Sequence, residues 1–144
     1  MYSSFDIAKR IINWCNGNSI PITNLKLQKL LYFAQGEFFK NQKARLINED
    51  FYAGELGPVI PRVYSLYAMF SSTSIPKQTE SESFTEEVLN QIEETLMKYA
   101  RISTWDLVEI SHNQDPWKYT HQVFGNKAII PYESIAEYFG GVNS

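Results

Sequence analysis

One apolar stripe at helical spacing constrains this chain more than any other feature of its sequence. Between Thr23 and Phe38, apolar residues recur every three or four positions, which is the period of one face of an α-helix. Leu25 and Phe33 lie outside that stripe and widen it. The sequence therefore predicts a central helix, capped by Thr23, against which other elements pack on more than one side.

The same period predicts a first helix over residues 4–15 and a closing helix over residues 131–139. Pro58 is predicted to open a further helix, because a proline in the first turn loses no intrahelical hydrogen bond. Ser83 and Glu86 have the spacing of a capping box, in which a serine and a glutamate satisfy two free amides at a helix start. Two short helices are predicted after Ser103 and after the Asp115-Pro116 pair.

The helical period fails between Leu46 and Gly54. Residues 46–47 and 51–53 are predicted as two short strands around a polar turn at 48–50, and residues 128–130 as a third strand. The predicted fold class is mainly α: a compact multi-helix domain with a small antiparallel β element. Residues 1–144 are expected to form a single domain, with residues 71–82 as an internal solvated loop that is rich in serine, threonine and charge.

Charge and composition exclude several classes of function. The chain has 13 basic and 16 acidic residues, a net charge of −3, so the basic field that nucleic-acid binding requires is not expected. A single cysteine, Cys15, rules out an internal disulfide. The N-terminal residues have no secretory pattern and no apolar run approaches the ~20 residues of a membrane span. We expect a cytoplasmic protein with neither a nucleic-acid nor a membrane partner.

Catalytic patterns are weak. Cys15 lies on the apolar stripe of the first helix, which favours a buried, unreactive thiol over a nucleophile. His112 and His121 do not have a known metal-ligand spacing. Gly54 and Gly57 loosely resemble a phosphate-binding turn, but the lysine and hydroxyl residue of a P-loop do not follow them. The sequence predicts no enzyme, no cofactor and no metal site.

Four segments, in order along nearly the whole chain, carry a family pattern. The first is the leucine-glutamine-lysine-leucine-leucine-tyrosine run within residues 25–36, and the second is the glycine-proline-valine turn at residues 57–59. A serine-histidine pair follows at residues 111–112, with aspartate-proline-tryptophan at residues 115–117, and Tyr138-Phe139 ends the pattern. In these segments the chain resembles the SocA-like antitoxin family, also called the Panacea domain. It departs from many relatives at Gly54-Glu55-Leu56 and at Ser111.

This resemblance implies an antitoxin that neutralises a partner protein toxin, which is usually encoded beside it in a prophage or mobile element. A second mode implied by the family is delivery of the toxin to an ATP-dependent protease. The toxins paired with this domain are diverse, so the sequence identifies neither the toxin nor its target. Self-association also stays open. No helix-turn-helix accompanies the pattern, so direct DNA-binding autorepression is not expected.

The candidate partner-binding residues combine this pattern with exposed positions. Arg62 and Tyr64 follow the glycine-proline turn, and these residue types are enriched among binding hot spots. The complete candidate set is Arg62, Tyr64, Glu55, Gln28, Tyr32, His112 and Asp115.

Each of these candidates has an alternative interpretation. In the alternative for Gln28 and Tyr32, their side chains form hydrogen bonds with polar groups of neighbouring loops. Arg62 instead pairs with Glu55, and Tyr64 instead covers the core. In the rival functional class, a small hydrolase or nucleotide-binding enzyme, catalysis would depend on His112, Asp115 and Glu55.

Overall fold

A computed structural model describes residues 1–142 of the chain. Seven α-helices and a three-stranded antiparallel sheet form the fold, which confirms the predicted class. The elements in chain order are α1 (Ser4–Gly17), α2 (Asn24–Gln42), β1 (Phe51–Gly54), β2 (Gly57–Val59), α3 (Pro61–Leu66), a 3₁₀ turn (Ala68–Phe70), α4 (Glu86–Tyr99), α5 (Thr104–His112), α6 (Asp115–Phe124), β3 (Ile129–Ile130), α7 (Tyr132–Glu137) and a π turn (Tyr138–Val142).

Helix α2 is the centre of the domain, as its wide apolar surface predicts. Thr23 caps it by accepting a hydrogen bond from the amide of Lys26 at 3.3 Å, and the helix ends where Lys43 adopts a left-handed conformation. Helices α1, α4, α5 and α7 all pack against it. Every residue of α2 from Lys26 to Phe38 is buried, so polar side chains in that stretch must find partners inside the protein.

Helix α1 packs its apolar stripe on α2 and begins at a serine cap. Ser3 accepts a hydrogen bond from the amide of Phe5. Cys15 is fully buried on the inner face, and burial raises the pKa of its thiol to about 11. The predicted burial of Cys15 is therefore confirmed, and the raised pKa disfavours the thiolate near neutral pH.

The β element differs from the prediction in its pairing. Strand β1 lies in the middle of the sheet, between β2 and β3, and Tyr52 pairs with Val59 on one side and Ile129 on the other. The expected strand at 46–47 is wrong: Ile47 makes only an isolated bridge to Tyr2. The true hairpin partner is Gly57–Val59, which the sequence analysis assigned to the start of a helix.

The helix expected from Pro58 starts instead at Pro61 and is only one and a half turns long. The cause is tertiary, since two α2 side chains bind the extended backbone. Gln28 accepts a hydrogen bond from the amide of Ile60 at 2.9 Å, and Lys29 donates one to the carbonyl of Pro58 at 2.9 Å. Proline, which has no amide hydrogen, is tolerated on an edge strand such as β2.

Two other helices have their N-caps one or two residues away from the predicted positions. Helix α4 is capped by Thr85, which accepts a hydrogen bond from the amide of Val88, so the expected capping box from Ser83 is wrong. Asp115 is the first residue of α6, and its N-cap is Gln114. The caps predicted at Ser103 for α5 and at Thr23 for α2 are confirmed.

Residues 71–85 contain no helix or strand, and most are exposed. The loop is nevertheless attached to the core. Ile75 is fully buried, and its amide donates a hydrogen bond to the carbonyl of Ile22 at 2.8 Å. Asn13 of α1 also accepts a hydrogen bond from the amide of Gln78. Glu80 forms an ion pair with Arg10, and the ring of Phe84 packs on Tyr2. The loop is therefore attached to the core at several points, although most of its residues are exposed as expected.

The C-terminal end packs closely on α2. The closing helix predicted over residues 131–139 divides into α7 and the π turn. Phe139 lies directly over Gly36, where an added Cβ would come within 2.3 Å of the ring. No helix among residues 1–142 is both long and apolar enough to cross a membrane.

Candidate functional site

A cavity of about 680 Å³ opens beside the β1–β2 hairpin, and we call it the hairpin cavity. Helix α2 lies on one side of it, and the start of α3 and the segment before β3 complete its wall. Its lining residues are Leu25, Gln28, Lys29, Tyr52, Gly54, Glu55, Leu56, Gly57, Val59, Pro61, Tyr64, Ser65, Asn126 and Lys127.

The turn of the hairpin depends on two glycines. Gly57 has a φ of +108°, a conformation that residues with a Cβ rarely adopt. A Cβ at this position would also lie 2.7 Å from Ser111 Oγ and 2.9 Å from Lys29 Cε. Gly54 is fixed from the opposite side, because the indole Nε1 of Trp117 donates a hydrogen bond to its carbonyl at 2.8 Å. Helices α5 and α6 thus hold the hairpin against α2.

Lys29 is the most unusual residue of the cavity wall. Only 1% of its surface is exposed, and its ammonium makes one hydrogen bond, to Pro58, within the described chain. No carboxylate among residues 1–142 pairs with it. Burial lowers the pKa of Lys29 to about 7, since a charged amine loses its hydration there.

Three of the candidate residues meet in this cavity: Gln28, Glu55 and Tyr64. Glu55 is exposed in the turn, and Tyr64 is 46% exposed on α3, so both side chains are accessible from solvent. Gln28 is fully buried and bonded to Ile60 and Asn24. Its amide therefore shapes the cavity wall, as the alternative interpretation of this residue expected, and offers a partner little surface.

Arg62 lies on α3 but does not line the cavity. Its guanidinium is 3.8 Å from a carboxylate oxygen of Glu49 and 4.9 Å from the ring centre of Phe5. The alternative of an Arg62–Glu55 pair is wrong, because the side chain extends toward α1. With 70% of its side chain exposed, Arg62 stays accessible to a partner.

Tyr32 and His112 are positioned inside the protein. Tyr32 is fully buried, and its hydroxyl donates a hydrogen bond to Gln114 Oε1 at 2.7 Å. Its role is to connect α2 to the start of α6, and it offers no surface to a partner. His112 is partly buried and stacks on Trp117, with ring centres 3.9 Å apart. Burial and then the charge of Lys29 lower the pKa of His112, and its Nε2 has no hydrogen-bond partner among residues 1–142.

Asp115 is exposed at a separate, smaller cavity of about 210 Å³. Glu55 lines the hairpin cavity instead. The structure therefore does not bring together the triad His112, Asp115 and Glu55 of the rival enzyme interpretation around one cavity. Residues 1–142 also contain no cluster of three or more histidine, cysteine or acidic side chains able to hold a metal.

Comparison with known proteins identifies the family of this chain. The family model of the SocA-like antitoxin, Panacea domain, matches residues 27–118. The chain belongs to this family. That match extends from α2 to the start of α6, so it contains most of the hairpin cavity wall and the residues that fix the hairpin.

A curated relative in the SocA-like family is Antitoxin SocA of Caulobacter vibrioides (strain NA1000 / CB15N). It is 32% identical over 128 residues, an alignment that covers 77% of this chain. The chain spans 66% of that relative's length. No solved structure matches significantly.

The hairpin cavity is also lined by residues that were not selected as candidates from the sequence. Lys29 lies in the leucine-glutamine-lysine run, yet a lysine on a helix usually indicates a solvated face. The available signal was the wide apolar surface of α2, which leaves little room for a solvated face around Lys26 and Lys29. Leu56 was noted only as a departure from the family pattern, but it is 42% exposed at the cavity rim.

A second exposed apolar surface lies on α6 and β3, and we call it the α6 face. Tyr119 is 60%, Val123 54%, Phe124 69% and Ile129 51% exposed. The three α6 residues recur at helical spacing on the side of the helix away from the core. The sequence pattern of α6 drew attention to Trp117, and this exposed face was not predicted.

Proposed function

We propose that the chain is the antitoxin of a toxin–antitoxin pair and that it neutralises its partner protein toxin by direct, stoichiometric binding. Membership of the SocA-like family carries this proposal. The curated relative is an antitoxin, and the family match at residues 27–118 includes most of the elements around the hairpin cavity. The mechanism is coverage: a preformed surface of the antitoxin occludes the part of the toxin that acts on its target.

The hairpin cavity and its rim form the proposed contact surface. Leu56 and Tyr64 are large apolar side chains, both more than 40% exposed and both at the same opening. Exposed apolar groups collected around a cavity are typical of protein-binding sites. A stable complex buries about 1,200–2,000 Å² in total, so the interface must extend beyond the cavity itself.

The accessible candidate residues on this side are Glu55, Tyr64 and Arg62, and we propose them as direct contacts. Gln28, Tyr32 and His112 are proposed to act indirectly. Their hydrogen bonds and stacking hold the hairpin, α6 and α2 in the geometry that presents the surface. Asp115 is exposed at the smaller cavity, so it would contact the toxin only if the interface reaches α6.

A binding role, without catalysis, is also part of the proposal. The thiol of Cys15 is buried, and its raised pKa disfavours the thiolate. Glu55 and Asp115 of the rival enzyme interpretation line two different cavities, and His112 lines neither of them. We therefore expect His112→Gln and Asp115→Asn variants that remain folded to keep neutralising activity.

The test is co-expression with the toxin encoded beside this chain, followed by purification of both proteins. We expect growth to recover only when the antitoxin is at least equimolar to the toxin, together with a complex of fixed stoichiometry by light scattering. Rescue by a small substoichiometric amount, with no isolable complex, would contradict direct neutralisation. Loss of that rescue in cells without the ATP-dependent protease would then indicate delivery for proteolysis.

A further inference from the structure

The wall of the hairpin cavity contains a buried lysine whose charge no carboxylate among residues 1–142 balances. Lys29 is almost completely buried, yet its ammonium has one carbonyl acceptor for three N–H donors. A buried charge is normally paired with an opposite charge, because desolvation alone costs several kcal/mol. The other N–H groups of the Lys29 ammonium are therefore able to bind an acceptor that the described chain does not provide.

The other charged groups at the cavity leave it net positive. Lys127 lies on the segment before β3, and Glu55 lies on the turn. Neither forms an ion pair within the described residues. With Lys29 protonated, two cations face one carboxylate. His112 of α5 lies close enough for the Lys29 charge to lower its pKa, and it adds no negative charge.

We propose that the hairpin cavity is a carboxylate-binding subsite, in which Lys29 and Lys127 receive an acidic group of the partner protein. The rest of the wall is largely apolar, with Leu25, Tyr52 and Val59 among its residues. The matching chemistry is a peptide segment in which a carboxylate is flanked by apolar side chains. This inference deepens the proposed function and rests on it.

The carboxylate has two sources in a protein, an acidic side chain or the chain's C-terminus, and both supply the same chemistry. A bound carboxylate would give the buried ammonium of Lys29 the oppositely charged partner that it lacks in the described chain. Since the pKa of Lys29 lies near 7, part of the population is neutral at neutral pH. Binding of a carboxylate should therefore take up protons.

Three acetylated peptides test the subsite in the absence of any toxin. The first has the sequence Ala-Leu-Glu-Leu-Ala with an amidated end, and the second replaces glutamate by glutamine. The third keeps the glutamine but ends in a free carboxylate. Titration is followed by amide chemical shifts and by calorimetry in two buffers of different ionisation enthalpy, with sodium acetate as the small-anion probe.

We expect a carboxylate peptide to bind at least tenfold more tightly than the amidated glutamine peptide, with proton uptake. Preference for the first peptide assigns the source to a side chain, and preference for the third assigns it to a C-terminus. Equal binding of all three peptides would overturn the proposal. Binding of acetate with no peptide binding would overturn it as well, since the cavity would then be a small-anion site.

Two lysines of α2 offer a matched pair of variants. Lys29→Met should lower affinity for the carboxylate peptide at least tenfold. Lys26→Met should leave affinity unchanged, because Lys26 is also buried but donates to Ala100 and does not line the cavity. If Lys29→Met does not fold, Glu55→Gln provides the independent test. Removing the only carboxylate of the wall should tighten binding, and weaker binding would overturn the proposal.

Toxin neutralisation separates this inference from the proposed function. Folded Lys29→Met should lose rescue of the toxin-expressing cells, whereas Lys26→Met should keep it. Full rescue by a folded Lys29→Met that no longer binds the peptide would overturn the subsite as a toxin contact and leave the antitoxin function standing. Failure of the unaltered chain to rescue the cells would instead contradict the proposed antitoxin function.

Discussion

The indole of Trp117 donates a hydrogen bond across 2.8 Å to the backbone carbonyl of Gly54. One ring therefore connects helix α6 to the end of strand β1. The same ring is sandwiched between His112 and His121, with ring centres 3.9 and 4.4 Å away. The aspartate-proline-tryptophan motif thus fixes the hairpin that forms one side of the cavity.

Two substitutions of Trp117 should separate its hydrogen bond from its packing. Trp117→Phe retains an aromatic ring between the histidines and loses the donor, so we expect a loss of about 1 kcal/mol. Trp117→Ala loses both and should cost about 2–5 kcal/mol. Urea unfolding followed by circular dichroism measures both values. Equal losses would show that the stack contributes nothing beyond the hydrogen bond.

The stability of the protein should rise with pH above neutrality because of Lys29. Its pKa is about 7 in the folded chain, against an ordinary value of 10.5 for a solvated lysine, so the unfolded chain binds more protons between these values. The free energy of unfolding then increases with pH in that window, by at most about 1.4 kcal/mol per pH unit, and this effect levels off below pH 7.

Urea midpoints at pH 7, 8 and 9 measure this slope, and Lys29→Met should reduce it. The scan stops at pH 9 because burial raises the pKa of Tyr32 and Tyr99 in the folded chain, so near pH 10 these tyrosines ionise first in the unfolded chain. That difference lowers the free energy of unfolding as the pH rises further, and it would oppose the lysine effect. Lys26 has a lowered pKa of the same sign as Lys29, so a smaller slope should persist. An unchanged slope in Lys29→Met would contradict the assignment.

Gly57 should be required for both its conformation and its space. Gly57→Ala places a Cβ at positive φ and 2.7 Å from Ser111 Oγ, so we expect a loss of about 2–4 kcal/mol. Gly125→Ala is the matched control, because Gly125 also has a positive φ, of +95°, but a Cβ added there would meet no other atom within 4 Å. Its loss should be about 1–2 kcal/mol, from strain alone.

Thermal and urea unfolding of both glycine variants give the comparison. The difference between their losses reports the packing of the turn against Lys29 and Ser111. If Gly57→Ala is no more destabilised than Gly125→Ala, the turn adapts to the added Cβ, and the hairpin is looser than these contacts indicate.

Tyr64 should contribute to toxin binding with little effect on folding. It is 46% exposed, so Tyr64→Ala is expected to shift the melting temperature by only a few degrees and to weaken binding by about 2 kcal/mol or more. Arg62→Ala should behave similarly, because its ion pair with Glu49 is largely exposed. Calorimetric titration of each variant with purified toxin gives the affinities.

Tyr119→Ala is the control for these two variants. Tyr119 is 60% exposed on the α6 face, away from the hairpin cavity. We expect its affinity for the toxin to stay unchanged. A large loss in Tyr119→Ala, with full affinity in Tyr64→Ala and Arg62→Ala, would move the interface from the hairpin cavity to the α6 face.

The sequence by itself determined the elements whose signals are local. The apolar surface of α2, the caps at Thr23 and Ser103 and the family motifs all follow from residues close to one another along the chain. They were sufficient for the fold class and the family. They also led to Gln28, Glu55 and Tyr64 as candidate residues, which the fold brings to one cavity.

Only the tertiary structure decided the hairpin and the charge inside its cavity. The glycine-proline-valine segment suits a helix start as well as a strand. It becomes β2 because Gln28 and Lys29, about 30 residues earlier along the chain, bind its backbone. The surroundings of Lys29 likewise come from α2, β2 and α5 together. Burial and pairing are properties of the packed chain, since they depend on residues that meet only when it folds.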